Sequence, residues 1–283
     1  MENGRIQLYG YRDANFNVHH SVSSNYQDPY TNLHMHSEYE LYLFLDGDGK
    51  FNVSGNIYTL IPGTVMFMRP GEAHSLSIST DKRYERIAIH FNRTYFEENH
   101  PVNSVLDFFD KKESGFCNCF IGDKNDSFIT KLFHEMTDDS VKNQGERLLS
   151  LEANIPALLY SLSKSSTHGM NPTGFSSDTL IRQIVRFIDT KLYEEWTLDD
   201  LAAALYRDKA YLNRCFKKAI GTGIWDYTIR KRIIGIKQKI HSFSNVNDAF
   251  RASGFKDYST FFRNYVRITG VPPSSDINKD SYR

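Results

Sequence analysis

Long apolar runs and cysteines are both scarce in this sequence. No segment approaches the roughly 18 consecutive apolar residues of a membrane-spanning helix, so we expect no membrane partner. The first residues, MENGRIQLYGYRD, lack the apolar stretch of a signal peptide. The 283 residues include only three cysteines, an odd number without framework spacing, which is typical of a reducing compartment. The sequence therefore predicts a cytoplasmic protein.

A net charge is also missing, but the zero total hides an uneven distribution. Residues 178–283 hold 19 Lys+Arg and 12 Asp+Glu, a net charge of +7. Residues 1–177 hold 15 and 22, a net charge of −7. A basic part beside an acidic one indicates an anion-binding module joined to a module of another kind, although a solvated surface would give the same count. The length is sufficient for two modest domains.

The first hundred residues carry the short apolar runs of a β domain. The run Leu41–Leu45 ends at the turn Asp46–Gly49, and two runs flank Ser54-Gly55-Asn56, which predicts a tight hairpin. Val65–Met68 and Glu85–Phe91 are two further runs. Short strands at this spacing are typical of a β-sandwich or barrel.

Helical periodicity replaces the strand pattern between residues 125 and 164. Apolar residues recur at helical spacing from 128 to 136 and from 148 to 162, so we expect two helices with apolar faces. The second helix could pair with its copy in a homodimer or pack on its own β domain, and the spacing favours neither. Residues 165–177, rich in Ser, Gly, Thr and Pro, are the predicted linker between domains at 1–164 and 178–283.

Residues 196–220 predict a short helix, a tight turn and a second helix. Thr197 and Asp208 are typical N-cap residues for the two helices. In the second helix, Leu212, Phe216 and Ile220 recur on one face, and the other faces carry amide and basic side chains. A helix-turn-helix needs such a second helix because it must enter the major groove of DNA, where Arg can bind guanine and Asn can bind adenine.

The same arrangement returns about 49 residues later. Val246–Ser253 predicts a short helix, Gly254-Phe255 a turn, and Asp257 an N-cap for a helix from Tyr258 to Val266. Residues 224–240 between the two units predict a long basic helix, with Gly235 in its middle. Two such units could reach successive major-groove segments of one duplex, roughly 34 Å apart.

About the last 90 residues resemble the AraC family of transcription factors. The resemblance lies in motifs that occur in the family's order and spacing, namely Tyr211–Lys218 with Gly221, Tyr227 with Arg230–Ile233, Gly254–Arg263 and Thr269–Pro273. The sequence departs from the family at the first turn, where Tyr206 and Arg207 replace the usual Gly and apolar residue. It also departs at Phe262, where a small polar residue is usual.

The resemblance implies two recognition helices and their DNA contacts. The base-facing residues would be Ala210, Asn213 and Arg214 in the first helix and Tyr258, Ser259, Phe262 and Arg263 in the second. Lys217, Lys218 and Arg267 would face phosphates. For the two arginines at 214 and 263, a structural salt bridge is the alternative.

A second pattern, HxHx3E followed by PGxxH, lies in the N-terminal half. It comprises His34, His36, Glu40 and His74, and it resembles the cupin family. Because side chains alternate along a strand, the first three would share one face. The resemblance implies a cupin-like barrel, which regulators of the AraC type often carry.

Three interpretations of the cupin pattern remain open. In the one we favour, the four residues and Tyr42 line a metal-free pocket for a small polar metabolite such as a sugar. In the second, the four residues hold a divalent metal, the one cofactor that this sequence suggests. In the third, the barrel is a metal-dependent enzyme such as a dioxygenase. Nearby aromatic residues that could stack on a sugar ring are Tyr39, Tyr42, Phe67 and Tyr84, and we interpret His90 as structural.

Together these features predict an α+β protein with a cupin-like β-barrel and appended helices, followed by an all-α domain of two helix-turn-helix units. The expected function is sequence-specific transcription regulation, as an activator and not an enzyme. The expected partners are double-stranded DNA, a small-molecule effector, RNA polymerase and a second copy of the chain in a homodimer. A metal-dependent cupin enzyme and a ligand-independent DNA-binding protein are the alternatives.

Overall fold

The computed structural model describes most of the chain, in six stretches: residues 5–24, 33–79, 83–121, 128–140, 143–166 and 176–277. Residues 167–175, the centre of the predicted linker, lie outside these described residues. The chain divides into two compact units. The β unit comprises Met1–Asn32, Glu38–Arg69 and His74–Ser177, and the helical unit comprises Leu33–Ser37, Pro70–Ala73 and Asp178–Arg283.

Two antiparallel sheets form the β unit. In chain order the strands are β1 (Arg5–Arg12), β2 (Phe16–Ser23), β3 (Tyr39–Asp46), β4 (Gly49–Val53), β5 (Asn56–Leu60), β6 (Thr64–Met68), β7 (His74–Ile78), β8 (Tyr84–Phe91), β9 (Cys119–Ile121) and β10 (Ser176–Ser177). One sheet has the order β1-β2-β8-β3-β6-β9 and the other β10-β5-β4-β7. The predicted hairpin is present, since β4 and β5 are joined at Ser54 and Gly55, whose φ values are 50° and 88°.

Strand β3 separates two apolar cores. Leu41 and Leu43 belong to a core shared with the helices α1 (Val102–Asp110), α2 (Phe128–Met136) and α3 (Gln144–Ser166). Tyr42 and Phe44 belong to a second core, between the two sheets. Because both faces of the strand are buried, residues 41–45 form one continuous apolar run.

Helix α3 packs on its own unit. Its residues Leu151, Ile155, Leu158 and Leu162 are buried in the core that the strands share with the helices. The predicted apolar face is thus covered within the unit, which is the second of the two alternatives for this helix. A different face of α3 exposes Leu149.

Seven helices build most of the helical unit: α4 (Thr179–Thr190), α5 (Leu198–Leu205), α6 (Lys209–Ile220), α7 (Ile224–Gln238), α8 (Val246–Arg251), α9 (Tyr258–Thr269) and α10 (Pro273–Ile277). Helices α5–α6 and α8–α9 are the two predicted helix-turn-helix units. Among the described residues, no helix is long and apolar enough to cross a bilayer.

Polar side chains cap the helices of both helix-turn-helix units. Thr197 forms a capping box with Asp200 at the start of α5. The Asp208 carboxylate accepts a 2.9 Å hydrogen bond from the backbone N–H of Tyr211, and Asp257 caps α9 in the same way. These caps satisfy backbone donors that have no partner inside a helix, which confirms the predicted helix starts.

The glycine in the middle of α7 has a packing reason. A Cβ at Gly235 would lie 2.0 Å from the hydroxyl oxygen of Tyr193, whose side chain occupies that space. The helix therefore contains glycine in spite of its cost of about 1 kcal/mol relative to alanine.

Two short segments of the N-terminal half belong to the helical unit. Leu33 and Met35 pack against the core formed by α4 to α7, and Ala73 is completely buried in it. The backbone N–H of Gly71 donates a 3.0 Å hydrogen bond to the carbonyl oxygen of His36, which ties the two segments together. The linear domain prediction did not include these segments in the helical part.

The predicted strand position of His34 and His36 is wrong. Strand β3 begins only at Tyr39, and both histidines lie in the segment before it. The alternation of side chains in a strand therefore does not relate them to Glu40.

Candidate nucleic-acid interface and ligand site

Helix α6 has one buried and one cationic face. Leu212, Phe216 and Ile220 are buried, which fixes the opposite face toward solvent. Four of the predicted DNA-contacting residues are exposed there, Ala210, Arg214, Lys217 and Lys218. Three of these four carry a positive charge, so this face is suited to the phosphates and guanine edges of DNA.

Asn213 has a structural contact that sequence reasoning missed. It is half-buried, and its Oδ1 accepts a 3.0 Å hydrogen bond from the backbone N–H of Ile224 at the start of α7. The N-cap residue of α7, Gly223, has no side chain that could make this bond. Asn213 thus caps the next helix across the turn, so its carbonyl oxygen faces the protein.

Helix α9 presents a different exposed face. Phe261 and Tyr265 are its buried residues. The predicted DNA-contacting residues Tyr258, Ser259, Phe262 and Arg263 are all exposed. Two of these four are aromatic, so apolar surface occupies much of the face.

Arg267 is partly occupied by protein contacts. Its Nη2 lies 2.9 Å from Oδ1 of Asn264 and 3.3 Å from Oδ1 of Asp226 in α7. Asp226 also accepts a 2.7 Å hydrogen bond from Nε of Arg230. A phosphate would have to compete with this exposed ion-pair network, so the predicted phosphate contact of Arg267 stays a prediction.

Two exposed tyrosines near the first recognition helix were absent from the prediction. Tyr206, in the turn before α6, is 87% exposed, and Tyr211 on α6 is exposed as well. Tyr206 adopts the left-handed conformation, with φ 52° and ψ 45°, where glycine is usual. Its departure from the family pattern was the signal that could have drawn attention to it.

Glu40 and His74 come together inside the β unit. Nε2 of His74 lies 3.2 Å from Oε2 of Glu40, and both residues are buried. Nε2 of His90 lies 3.6 Å from the same carboxylate oxygen. The interpretation of His90 as merely structural therefore missed a neighbour of the predicted site. Its register opposite Glu40 in the β3–β8 pair explains the proximity.

A second buried polar group adjoins this interior. The hydroxyl groups of Tyr42 and Tyr84 are 2.6 Å apart, and Nη1 of Arg86 donates a 3.1 Å hydrogen bond to Oη of Tyr84. Burial raises the pKa of Tyr84, so its phenol stays protonated at neutral pH. Sequence reasoning missed Arg86, although this residue lies two positions from both Tyr84 and Ala88 and therefore shares their face of β8.

The other two aromatic residues predicted near the ligand lie elsewhere. Tyr39 and Phe67 belong to the core that the strands share with the helices, where their rings stack 5.8 Å apart. Of the four aromatic residues predicted near the ligand, Tyr42 and Tyr84 face the space between the sheets. Tyr39 and Tyr42 lie in different cores because side chains alternate along strand β3, so positions 39 and 42 point to opposite faces of the sheet.

His34 and His36 lie in the helical unit, with ring centroids 6.0 Å apart. Their side chains can donate and accept hydrogen bonds or bind a metal through nitrogen. In the β unit, the buried Glu40, His74 and Tyr42 offer the same kinds of polar atoms.

Comparison with known families matches two successive regions of the chain. Residues 21–159 match the AraC-like ligand binding domain, and residues 201–278 match a helix-turn-helix domain.

Curated relatives include transcriptional regulators that align over most of their length. The activator RhaS of Mannheimia succiniciproducens is 23% identical over 83% of this chain and 86% of its own. The lactose operon transcription activator of Staphylococcus xylosus is 20% identical over 80% of this chain and 79% of its own. The regulatory protein PocR of Salmonella typhimurium is 27% identical, but the alignment spans only 39% of that protein and 41% of this chain.

Among solved structures, ToxT of Vibrio cholerae aligns with 94% of this chain and 98% of its own, with 12% identity and a TM-score of 0.39. Because an AraC-like ligand binding domain and a helix-turn-helix domain follow one another and together match most of the sequence, the chain belongs to the AraC family of DNA-binding transcriptional regulators and is not a cupin enzyme.

Proposed function

We propose that this regulator is a cytoplasmic transcription activator whose DNA binding responds to a small polar metabolite, such as a carbohydrate. Two relatives are named as activators, and one of them as the activator of a lactose operon. These names support activation and a sugar-related effector. Double-stranded DNA, the effector and RNA polymerase are then its partners.

The main support for effector control is where the predicted effector residues lie. His34 and His36 alternate with Leu33 and Met35, which pack against the core of the helical unit. Ala73 is buried in that core, and the next residue, His74, begins β7 beside Glu40. Because Leu33 and Met35 pack in the core beneath α4 to α7, a ligand that displaced His34 or His36 would act within the helical unit itself, which supports effector control of DNA binding.

The polarity of the β unit's interior supports a hydroxyl-bearing effector. Glu40, His74, Tyr42 and Arg86 are buried among apolar side chains such as Phe51, whose ring stacks on His74 at 5.9 Å. A few convergent polar groups on apolar walls are typical of ligand sites.

A gel shift on the chain's own upstream DNA tests this function. Selective binding against random competitor at fixed salt is expected, and addition of sugars one at a time should identify the effector by a changed affinity. Ligand-dependent thermal shift provides an independent readout, since a ligand that binds only the folded protein raises its stability. Equal affinity for random DNA would contradict sequence-specific regulation.

The variant His36→Ala tests the coupling. We expect it to abolish the effector response and to leave DNA binding intact, because His36 lies outside both helix-turn-helix units. The exposed His241, in the same unit, provides the matched control His241→Ala, which should respond normally. An unchanged response in His36→Ala would remove this residue from the effector site.

We also propose that the effector site operates without a metal, with a divalent ion as the alternative. His34, His36, Glu40 and His74 offer nitrogen and oxygen donors that would suit such an ion. Elemental analysis of the purified protein distinguishes the two. A stoichiometric metal that is lost in His74→Ala would establish the alternative.

Helix α3 offers a face for the proposed homodimer. Leu149 and Tyr160 are exposed, and Ala153 lies exposed between them, at helical spacing. The buried residues of α3 leave this stripe on the outside of the unit. Sedimentation of Leu149→Asp should show a shift from dimer to monomer, and a monomeric wild-type protein would contradict the homodimer.

A further inference from the structure

We propose that the second recognition helix, α9, reads thymine through methyl contacts made by Phe262 and Tyr258. The segment of DNA bound by α9 would then be defined by thymines at particular positions. This inference rests on the proposed function, because it requires sequence-specific binding to DNA.

The two rings form a fixed apolar ridge on the outer face of α9. Phe262 is 37% exposed and Tyr258 is 41% exposed, and their ring centroids are 6.1 Å apart, one helical turn along the chain. The ring of Phe250 contacts Tyr258 edge-on at 5.7 Å, and the buried Phe261 lies 6.2 Å from Tyr258. Packing from beneath holds the ridge in place, so a partner meets a preformed surface.

The ridge lies where a recognition helix approaches the bases. Helix α9 begins at Tyr258, after the N-cap Asp257, and both rings are within its first five residues. The N-terminal residues of a recognition helix are those that contact base edges in the major groove.

The neighbouring Arg263 is held by contacts with its own helix. Nε of Arg263 lies 3.3 Å from the carbonyl oxygen of Ser259, and its Nη2 lies 3.4 Å from Oγ1 of Thr260. The guanidinium group therefore lies along its own helix.

The chemistry of the major groove selects thymine for such a ridge. Thymine presents a C5-methyl group there, and apolar side chains such as Phe contact it. Phe262 has neither a donor nor an acceptor, so it cannot read the polar edges of the other bases. The corresponding residue of α6 is Asn213, whose Oδ1 accepts a hydrogen bond from the backbone N–H of Ile224, so the first unit has no aromatic side chain at this position.

The test replaces thymine with deoxyuridine. Duplexes are first selected from a random library by the full-length protein, and each thymine of the selected site is then replaced singly. Deoxyuridine keeps the pairing and the acceptor oxygens of thymine and lacks only the methyl group. At the contacted positions we expect affinity to fall about fourfold per methyl group.

Variants at α9 identify the side chain responsible. Phe262→Asn introduces the residue of the first unit and should bind thymine and deoxyuridine duplexes equally at the positions that Phe262 itself contacts. Phe262→Leu keeps an apolar side chain and should retain the sensitivity. Arg263→Ala should bind all duplexes more weakly and keep the fourfold ratio. Thermal unfolding checks that each variant is folded.

Four outcomes would overturn the inference. If no thymine is sensitive, or if Phe262→Asn keeps the same sensitivity, the ridge does not read methyl groups, although selective binding leaves the proposed function intact. If Phe262→Asn binds DNA normally but fails to activate transcription, the ridge contacts RNA polymerase instead. If no duplex is selected at all, the proposed function fails together with this inference.

Discussion

The two helix-turn-helix units share their helix caps and buried positions and differ in the residues they expose. The N-caps Asp208 and Asp257 and the C-caps Gly221 and Gly270 are each 49 residues apart. The buried positions repeat as well, since Leu212 corresponds to Phe261. Packing and capping restrict which residues fit at these positions, whereas exposed positions are free to diverge.

The divergence is chemical. The exposed residues of α6 are mainly cationic, Arg214, Lys217 and Lys218, with one aromatic residue, Tyr211. Those of α9 combine two adjoining aromatic residues, Tyr258 and Phe262, with Arg263 and Arg267. The turns differ too. The left-handed residue comes nine positions after the N-cap in both units, and it is Tyr206 in the first and Gly254 in the second. The first unit is thus more cationic and has the more strained turn.

Gly254→Ala tests the difference between the two turns, and we expect it to have the largest effect on stability of the variants compared. At φ 73° an alanine is strained, and its Cβ would lie 2.9 Å from the carbonyl oxygen of Tyr193, a backbone atom that cannot rotate away. We expect the free energy of unfolding to fall by roughly 2–3 kcal/mol. Urea denaturation measures it, and a loss below about 0.5 kcal/mol would mean that the turn tolerates a side chain.

Arg214→Ala and Arg263→Ala compare how the two helices bind DNA. Each should weaken specific binding by roughly 1–3 kcal/mol if the arginine reads a base. We expect the larger loss for Arg214, because Arg263 also contacts its own helix. Gel shifts on selected and random duplexes measure both losses. Equal losses on the two kinds of DNA would assign the arginine to phosphate contact.

Asn213→Ala and Phe262→Ala change corresponding positions of the two units, and we expect the first to reduce stability more than the second. Loss of the cap at Ile224 should lower the free energy of unfolding by about 1 kcal/mol in Asn213→Ala. Phe262→Ala should change it by less than about 0.5 kcal/mol, because Phe262 lies at the surface. Denaturant unfolding of both variants checks this contrast, and equal losses would remove it.

Tyr206→Gly should have the smallest effect, with the opposite sign. Glycine relieves the left-handed strain of roughly 1–2 kcal/mol. It also adds freedom to the unfolded chain, which offsets about 0.5–1 kcal/mol. Since Tyr206 is 87% exposed, few contacts are lost, and we expect a net gain of about 0.5 kcal/mol. A loss of stability on thermal unfolding would show that the tyrosine ring makes a stabilising contact.

Many elements of this fold depend on residues that are close together in the chain, which is why the sequence predicted them. The hairpin at Ser54-Gly55 and the caps at Thr197, Asp208 and Asp257 each depend on neighbours a few residues away. Apolar periodicity located the helices for the same reason, because the core-facing stripe repeats with the helical period.

The candidate site depended on contacts that sequence distance conceals. Asn213 and Ile224 are eleven positions apart and belong to different helices. His90 lies close to Glu40 because strand β8 pairs with strand β3, and four other strands separate the two in the sequence. Neither contact leaves a local pattern, so both functional interpretations had to wait for the structure.

The sequence by itself determined the two kinds of domain, the two helix-turn-helix units and the family, because periodicity, capping and motif spacing are properties of short segments. Only the tertiary structure decided that residues 33–37 and 70–73 pack with the helical unit and that Arg86 lies buried beside Tyr84. Those arrangements follow from the burial of apolar side chains that are distant in the chain, which no short segment encodes.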